Sequence, residues 1–281
     1  MSCRPFPASE SVRRSLLFVS LCALGVAGCA VTSYNLATQR QETILISDER
    51  EERAGASIAR QVEKEMPLVE DAPLQERVKT LGDRLAAVCD RREILYHFAV
   101  LQDPDEAKEP VVNAFSLPGG YVYVQQGLLT VAQTDDELAA VLAHEIGHVA
   151  ARHAVKRFQS SLGAGLTQLL ALGAVHDARF QRGLNLAMGQ VFLAYAREEE
   201  LEADRLSVKY LKAAGFKAEA TLQVLEKLRE VHRKEPPRAM GALLVRPDYA
   251  MTHPYIADRL RVVKEALYGH ADFTDYINKS D

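Results

Sequence analysis

Residues 144–153, HEIGHVAARH, constrain this chain more than any other stretch, because they place three histidines and a glutamate within ten positions. On an α-helix, residues four apart project from one face. His144 and His148 can therefore aim one ring nitrogen each at a single ion, with Glu145 one step round the same helix. About 0.02 such patterns are expected by chance in a chain of this length and composition, so a merely solvated helix face is the weaker reading. Leu138, Val141, Leu142, Ile146 and Val149 give the helix an apolar surface to bury, and Gly147 allows another backbone to approach closely. Thr134 and Glu137 are spaced as a capping box, and Asp135 and Asp136 suit the positive end of the helix dipole. The helix is expected to run to about Gln159.

HExxH is the ligand spacing of zinc hydrolases, in which a catalytic zinc takes three protein ligands. The metzincin pattern adds a third histidine after a glycine turn, but Ala151 and Ala154 stand at those two positions. His153 is one residue short. On a helix continued at 100° per residue it points about 180° away from His144 and is not a ligand. The better source is REEELEADR, residues 197–205, where Glu200 and Asp204 are four apart on a predicted helix. An acidic helix run is usually only surface, but downstream of an intact HExxH the balance reverses. His144, His148 and Glu200 would then hold one Zn2+ per chain. Asp204 would accept the free ring N–H of a histidine ligand. Glu198, Glu199 and Glu202 lie off that face and read as solvated. Cys89, the kind of ligand a deformylase uses, sits alone in a helical stretch and is the poorer candidate.

The first residues read as an address. Arg13 and Arg14 precede the apolar run LLFVSLCALGVAG, which is too short to span a membrane comfortably and ends in Val26-Ala27-Gly28-Cys29. This looks like a bacterial lipobox, with Cys29 as the lipidated first residue of the mature chain and Ala30 matching sorting to the outer membrane. Cys3 and Cys22 would leave with the leader, so Cys89 has no partner and no internal disulfide is expected. The net charge of −4 offers no basic footprint for nucleic acid. Residues 29–47 read as lipidated cysteine and tether, 48–270 as the main domain and 271–281 as a tail. Within the domain, Ile58, Val62 and Met66, then Leu74, Val78, Leu81 and Leu85, recur at helical spacing on two helices separated by Pro67 and Pro73. YHFAVLQD reads as a strand and VVNAFSLPGGYVYVQQGLL as a hairpin bent at Pro118-Gly119-Gly120. Residues 160–192 are apolar but interrupted by Gln168, His176, Asp177 and Arg179, and read as buried or lid-like helices. A last helix follows the turn in THPYIADRLRVVKEAL.

HEIGH, ELEAD, NAFSLPGGYVYVQQGLL and HPYIADRL, in this order, resemble the HtpX/BepA/LoiP-like bacterial zinc metallopeptidases, relatives of the CAAX prenyl protease among the gluzincins. The resemblance covers about residues 48–268 and lies closest to the LoiP-type periplasmic lipoproteins. It implies an α+β, mainly helical, zincin-type domain with a small β-sheet next to the HExxH helix. It also implies an endopeptidase anchored at the inner leaflet of the outer membrane and facing the periplasm. There it would cleave misfolded envelope proteins, with outer-membrane assembly factors or other envelope proteases as candidate partners. His144, His148 and Glu200 match the zinc ligands, Glu145 the general base and Asp204 the supporting aspartate. His253 or Arg259 of the HP motif would donate to the oxyanion; in the rival role, the matching histidine binds zinc and holds the site inactive. Gly119, Gly120, Tyr121 and Val122 read as part of a core hairpin, to which the resemblance adds the role of an edge strand pairing with extended substrate backbone, and Asn113 would position that segment.

Overall fold

The computed structural model describes residues 31–104, 110–157, 159, 194–234 and 249–270. Cys29 and its leader, the apolar stretch 160–192 and the tail 271–281 lie outside them. The two proline-bounded helices form as their apolar spacing requires. They are α1 (Asp48–Glu65), which buries Ile58 and Val62, and α2 (Ala72–Ala86), which buries Val78, Leu81 and Leu85. Asp71 caps α2, its carboxylate accepting the Leu74 N–H at 3.0 Å.

A three-stranded sheet follows, made of β3 (His97–Leu101), β4 (Ala114–Leu117) and β5 (Tyr121–Gln125). A separate hairpin of β1 (Val31–Asn35) and β2 (Arg40–Ile44) precedes it in the chain. The sheet order is β3-β5-β4, with β3 parallel and β4 antiparallel to β5. The expected hairpin is therefore present, but its second strand is central. The outer side of β3 is also occupied: Gln75 of α2 mimics a strand, accepting from Val100 N and donating to Val100 O, both at 2.9 Å. Among the described residues no other strand pairs with the far side of β4.

Helix α3 (Asp135–Ala150) carries the HEIGH motif and lies against β4. Thr134 and Glu137 make the capping box, each side chain accepting the other residue's N–H at 3.2 Å. Every residue from Glu137 to Ala150 is buried, so α3 is a core helix on all sides. It packs on α4 (Arg197–Ala214), the helix that carries ELEAD, and a Cβ on Gly147 would stand 2.9 Å from the Ala203 carbonyl oxygen. Only glycine permits that approach, and it brings the two motif-bearing helices into register. Helices α5 (Ala220–Lys234), α6 (Tyr249–Thr252) and α7 (Ile256–Tyr268) complete the helical side. No described helix is long and apolar enough to cross a membrane.

Two expectations change here. Helix α3 stops at Ala150 instead of reaching Gln159, because Arg152 takes a left-handed backbone conformation at φ 56° before helix resumes at His153. The cost of that conformation in a non-glycine residue is offset by an ion pair between Arg152 and Asp48 at the start of α1. The stretch read as a tether holds the β1–β2 hairpin, whose polar residues concealed it. A lone two-stranded hairpin is marginal in water; this one docks beside the end of α3. Asn35 Nδ2 donates to the Ala150 carbonyl at 3.2 Å, Lys156 Nζ lies 2.5 Å from Glu42 Oε1, and Gln159 accepts from Leu45 N at 2.9 Å.

Burial pushes the Glu42 pKa up, but bonds from Lys156, Thr38 and Asn35 outweigh it and hold the carboxyl below its ordinary 4.5. A carboxyl with a depressed folded pKa stabilises docking fully above its unfolded value, and that contribution disappears as pH falls through the folded one. Amide exchange in β1 and β2 should therefore accelerate below about pH 4, before exchange in α3 and α4 does. Glu42→Gln should remove the pH step. An acid-insensitive hairpin in the wild type would show that this carboxylate does not hold it.

Candidate metal centre

The close contact at Gly147 brings four donors together. His144, His148, Glu200 and His253 each place one ligand atom within 4.8 Å of the others, and all four are buried. His144 Nε2 and His148 Nε2 lie 3.0 Å apart, 3.5 and 3.3 Å respectively from the Glu200 carboxylate oxygens. His253 enters from the turn before α7, with Nδ1 3.1 Å from Glu200 Oε1 and 3.4 Å from His144 Nε2. Glu145 is fully buried beside them, and its Oε1 lies 3.4 Å from His253 Nε2.

Residues behind the donors set their orientation. Asp204 Oδ1 lies 2.8 Å from His144 Nδ1, which assigns the proton to Nδ1 and leaves Nε2 free to ligate. Burial and the Arg259 charge oppose a charged His144, but Asp204 and Glu200 outweigh them and push its pKa up to about 9. Burial, reinforced by the His144 charge, takes His148 well below its ordinary value despite Glu200. Glu200 is held well below the carboxylate range, since the charges of His253 and Arg259 more than offset its burial. The Tyr195 ring stacks on His148 at 3.8 Å, and Tyr249 stacks on His253 at 4.4 Å.

The donor set suits a divalent cation. Neither carboxylate oxygen of Glu145 has a hydrogen-bond partner among the described residues, although the side chain is fully buried. A buried carboxylate without a hydrogen bond is costly, and a cation at the cluster would offset that cost. Two imidazoles and a carboxylate are the ligand types of a catalytic zinc.

Several sequence-stretch expectations meet a different geometry. Arg259 is 1% exposed and fully engaged: Nε and Nη2 form a fork on Asp204 at 2.8 Å each, and Nη1 lies 3.1 Å from Glu200 Oε2. A guanidinium so committed is a clamp on the ligand-bearing helix, so the reading of Arg259 as a free oxyanion donor is corrected. His253 places its Nδ1 among the ligand atoms, while its Nε2 has no hydrogen-bond partner among the described residues and lies 3.4 Å from Glu145 Oε1. Tyr121 and Val122 lie in the central strand, paired on both sides, so they are not the edge that receives a peptide. Tyr121 stacks instead on His97 at 4.4 Å. Gly119 and Gly120 have φ of 77° and 88° and shape the turn against α1 and Leu95. The edge is β4, beginning next to Asn113, whose Oδ1 accepts from Thr252 Oγ1 at 3.1 Å and ties the strand to the HP turn.

His153 faces the site rather than away from it. Its Nδ1 lies 2.8 Å from His148 Nδ1, and its Nε2 lies 3.2 Å from Glu202 Oε2. The helix break at Arg152 turns it inward, and no glycine or proline in the sequence announces that break. Sequence reasoning also missed Tyr195 and Tyr249, which bear no motif and are known only from their packing.

Two helices joined at a glycine, aiming two histidines and a glutamate beside a small mixed sheet, define a zincin-type metallopeptidase domain. The chain belongs to peptidase family M48, whose family model matches residues 72–267. It is similar to the beta-barrel assembly-enhancing protease of Escherichia coli strain K12, with 29% identity over 245 residues, 83% of this chain and 47% of the relative. The protein of the same name from Yersinia pestis is 30% identical over 226 residues, 76% of this chain and 43% of the relative. The mitochondrial metalloendopeptidase OMA1 of Schizosaccharomyces pombe is 30% identical over 184 residues, 66% of this chain and 50% of the relative. The chain thus spans half or less of the length of these relatives.

Proposed function

We propose that this chain is a zinc-dependent endopeptidase, tethered through a lipid on Cys29 to the periplasmic face of the bacterial outer membrane. There it hydrolyses peptide bonds of misfolded envelope proteins, beside outer-membrane assembly factors or other envelope proteases. The observation that carries this reading is the buried Glu145 carboxylate, without a hydrogen-bond partner among the described residues, next to His144, His148 and Glu200. A bound zinc would supply Lewis acidity at the scissile carbonyl and favour ionisation of the attacking water. Glu145 takes the proton of that water and delivers it to the leaving amine. Asp204 holds the tautomer of His144, and Arg259 holds Asp204 and Glu200. An extended substrate would add to the far side of β4.

One observation favours a closed resting state. His253 Nδ1 stands among the four donors, in the position that an open catalytic site leaves for water or substrate. Of the two roles open to His253 in the sequence, the latch fits this arrangement. A second reading follows from the same geometry: an envelope adaptor whose metal site is permanently shut.

Hydrolysis of unfolded casein by the wild type and by His253→Ala, with zinc content measured in each, separates the two. The peptidase reading expects cleavage sensitive to chelators. It also expects His253→Ala to be faster by about tenfold if roughly nine molecules in ten rest latched. Zinc-loaded protein silent in both forms would favour the adaptor.

A further inference from the structure

We propose that His153 and Glu202 form a positioning pair that fixes the tautomer and ring orientation of His148. The proposal rests on the reading of His148 as a zinc ligand. His148 Nε2 faces the donor cluster, so its Nδ1 points outward and must carry the proton when Nε2 ligates. The atom that meets it is His153 Nδ1 at 2.8 Å. For that contact to be a hydrogen bond, His153 Nδ1 must accept, and the His153 proton then resides on Nε2. Nε2 lies 3.2 Å from the Glu202 carboxylate, which accepts it. One assignment satisfies every atom in the chain: Glu202 accepts from His153, and His153 accepts from His148. Asp204 does the same for His144 from the other side. Each histidine ligand thus has its own acceptor, one direct and one relayed through a second imidazole.

The surroundings are built for this contact. His153 is 1% exposed. It reaches His148, five positions earlier, only because Arg152 breaks the helix at φ 56°, and Arg152 is held by Asp48. The docked hairpin fixes the same turn through Asn35 to the Ala150 carbonyl and Glu42 to Lys156. Tyr195 closes the remaining face of His148 by stacking. Glu202 sits two positions beyond Glu200 on α4, so the helix that supplies a ligand also supplies the acceptor for its neighbour's support.

Partners behind histidine ligands are typically worth about 10–100-fold in metal affinity. Zinc affinity measured by chelator competition on the full chain should therefore fall about 10–100-fold in His153→Ala and on the order of 10-fold in Glu202→Ala. His153→Asn places an amide oxygen near the lost Nδ1 and should return affinity to within about threefold of wild type. The double variant His153→Ala/Glu202→Ala should bind zinc no more weakly than His153→Ala alone, because the two residues act in series. A purely structural role predicts no rescue by asparagine and additive losses, and either result overturns the proposal. A wild type that binds zinc while His153→Ala binds it equally well overturns it too. If His153→Ala does not fold, unchanged affinity in Glu202→Ala has the same force. A wild type that takes up no zinc removes the reading of His148 as a ligand and the proposal with it.

Discussion

Replacing Glu145 with glutamine should leave zinc bound and lower peptide hydrolysis by about 10²–10⁴-fold. Glutamine keeps the size and shape of the side chain but has no carboxylate to receive the proton of the attacking water. His144, His148 and Glu200 do not rely on it, since Glu145 has no hydrogen bond to any of them. A buried charge without a hydrogen-bond partner also costs stability. The metal-free E145Q protein should thus unfold at the same denaturant concentration as wild type or a higher one. Zinc stoichiometry, casein hydrolysis and denaturant unfolding on one preparation give all three outcomes. Cleavage within a few-fold of wild type in the zinc-loaded variant would dismiss Glu145 as the general base. Loss of zinc along with activity would instead place Glu145 among the groups that hold the ion.

What could be read from the sequence follows the reach of each physical signal. Helix periodicity and side-chain volume are local, so α1, α2, the capping box of α3 and the hairpin around Pro118 were all legible. The spacing of His144 and His148 is local as well. Glu200 and Asp204 were found because their own four-residue spacing repeats that logic on a second helix. Strand order is not local. Nothing in NAFSLPGGYVYVQ says that β3 will pair with the second strand rather than the first, and the edge was accordingly assigned to β5 instead of β4. The same limit explains His153: a continued helix sends it outward, and the break that turns it inward depends on an ion pair from Arg152 to Asp48, 104 residues away. The partners of Arg259 could not be read from the sequence, since a fork on Asp204 exists only once α7 packs against α4.

Truncating Arg259 should cost the metal-free protein about 3–5 kcal/mol, the usual consequence of stripping one partner from a buried ion pair. The guanidinium faces three carboxylate oxygens, two on Asp204 and one on Glu200, and also donates to the His253 carbonyl at 3.3 Å and the Tyr249 hydroxyl at 3.2 Å. Both carboxylates are fully buried, so without Arg259 their charge has only the histidines to meet it. Arg259→Lys keeps the charge but cannot present the planar fork, and it should recover only part of the loss. Arg259→Met combined with Asp204→Asn should be less destabilised than Arg259→Ala, because the dominant cost is the carboxylate left behind rather than the absent contact. Zinc should narrow the gap between wild type and Arg259→Ala, since an ion at Glu200 replaces part of the missing positive charge. Denaturant unfolding with and without zinc measures each of these differences. A loss below about 1 kcal/mol for Arg259→Ala would mean that α4 is held in place by its packing at Gly147 and not by this clamp.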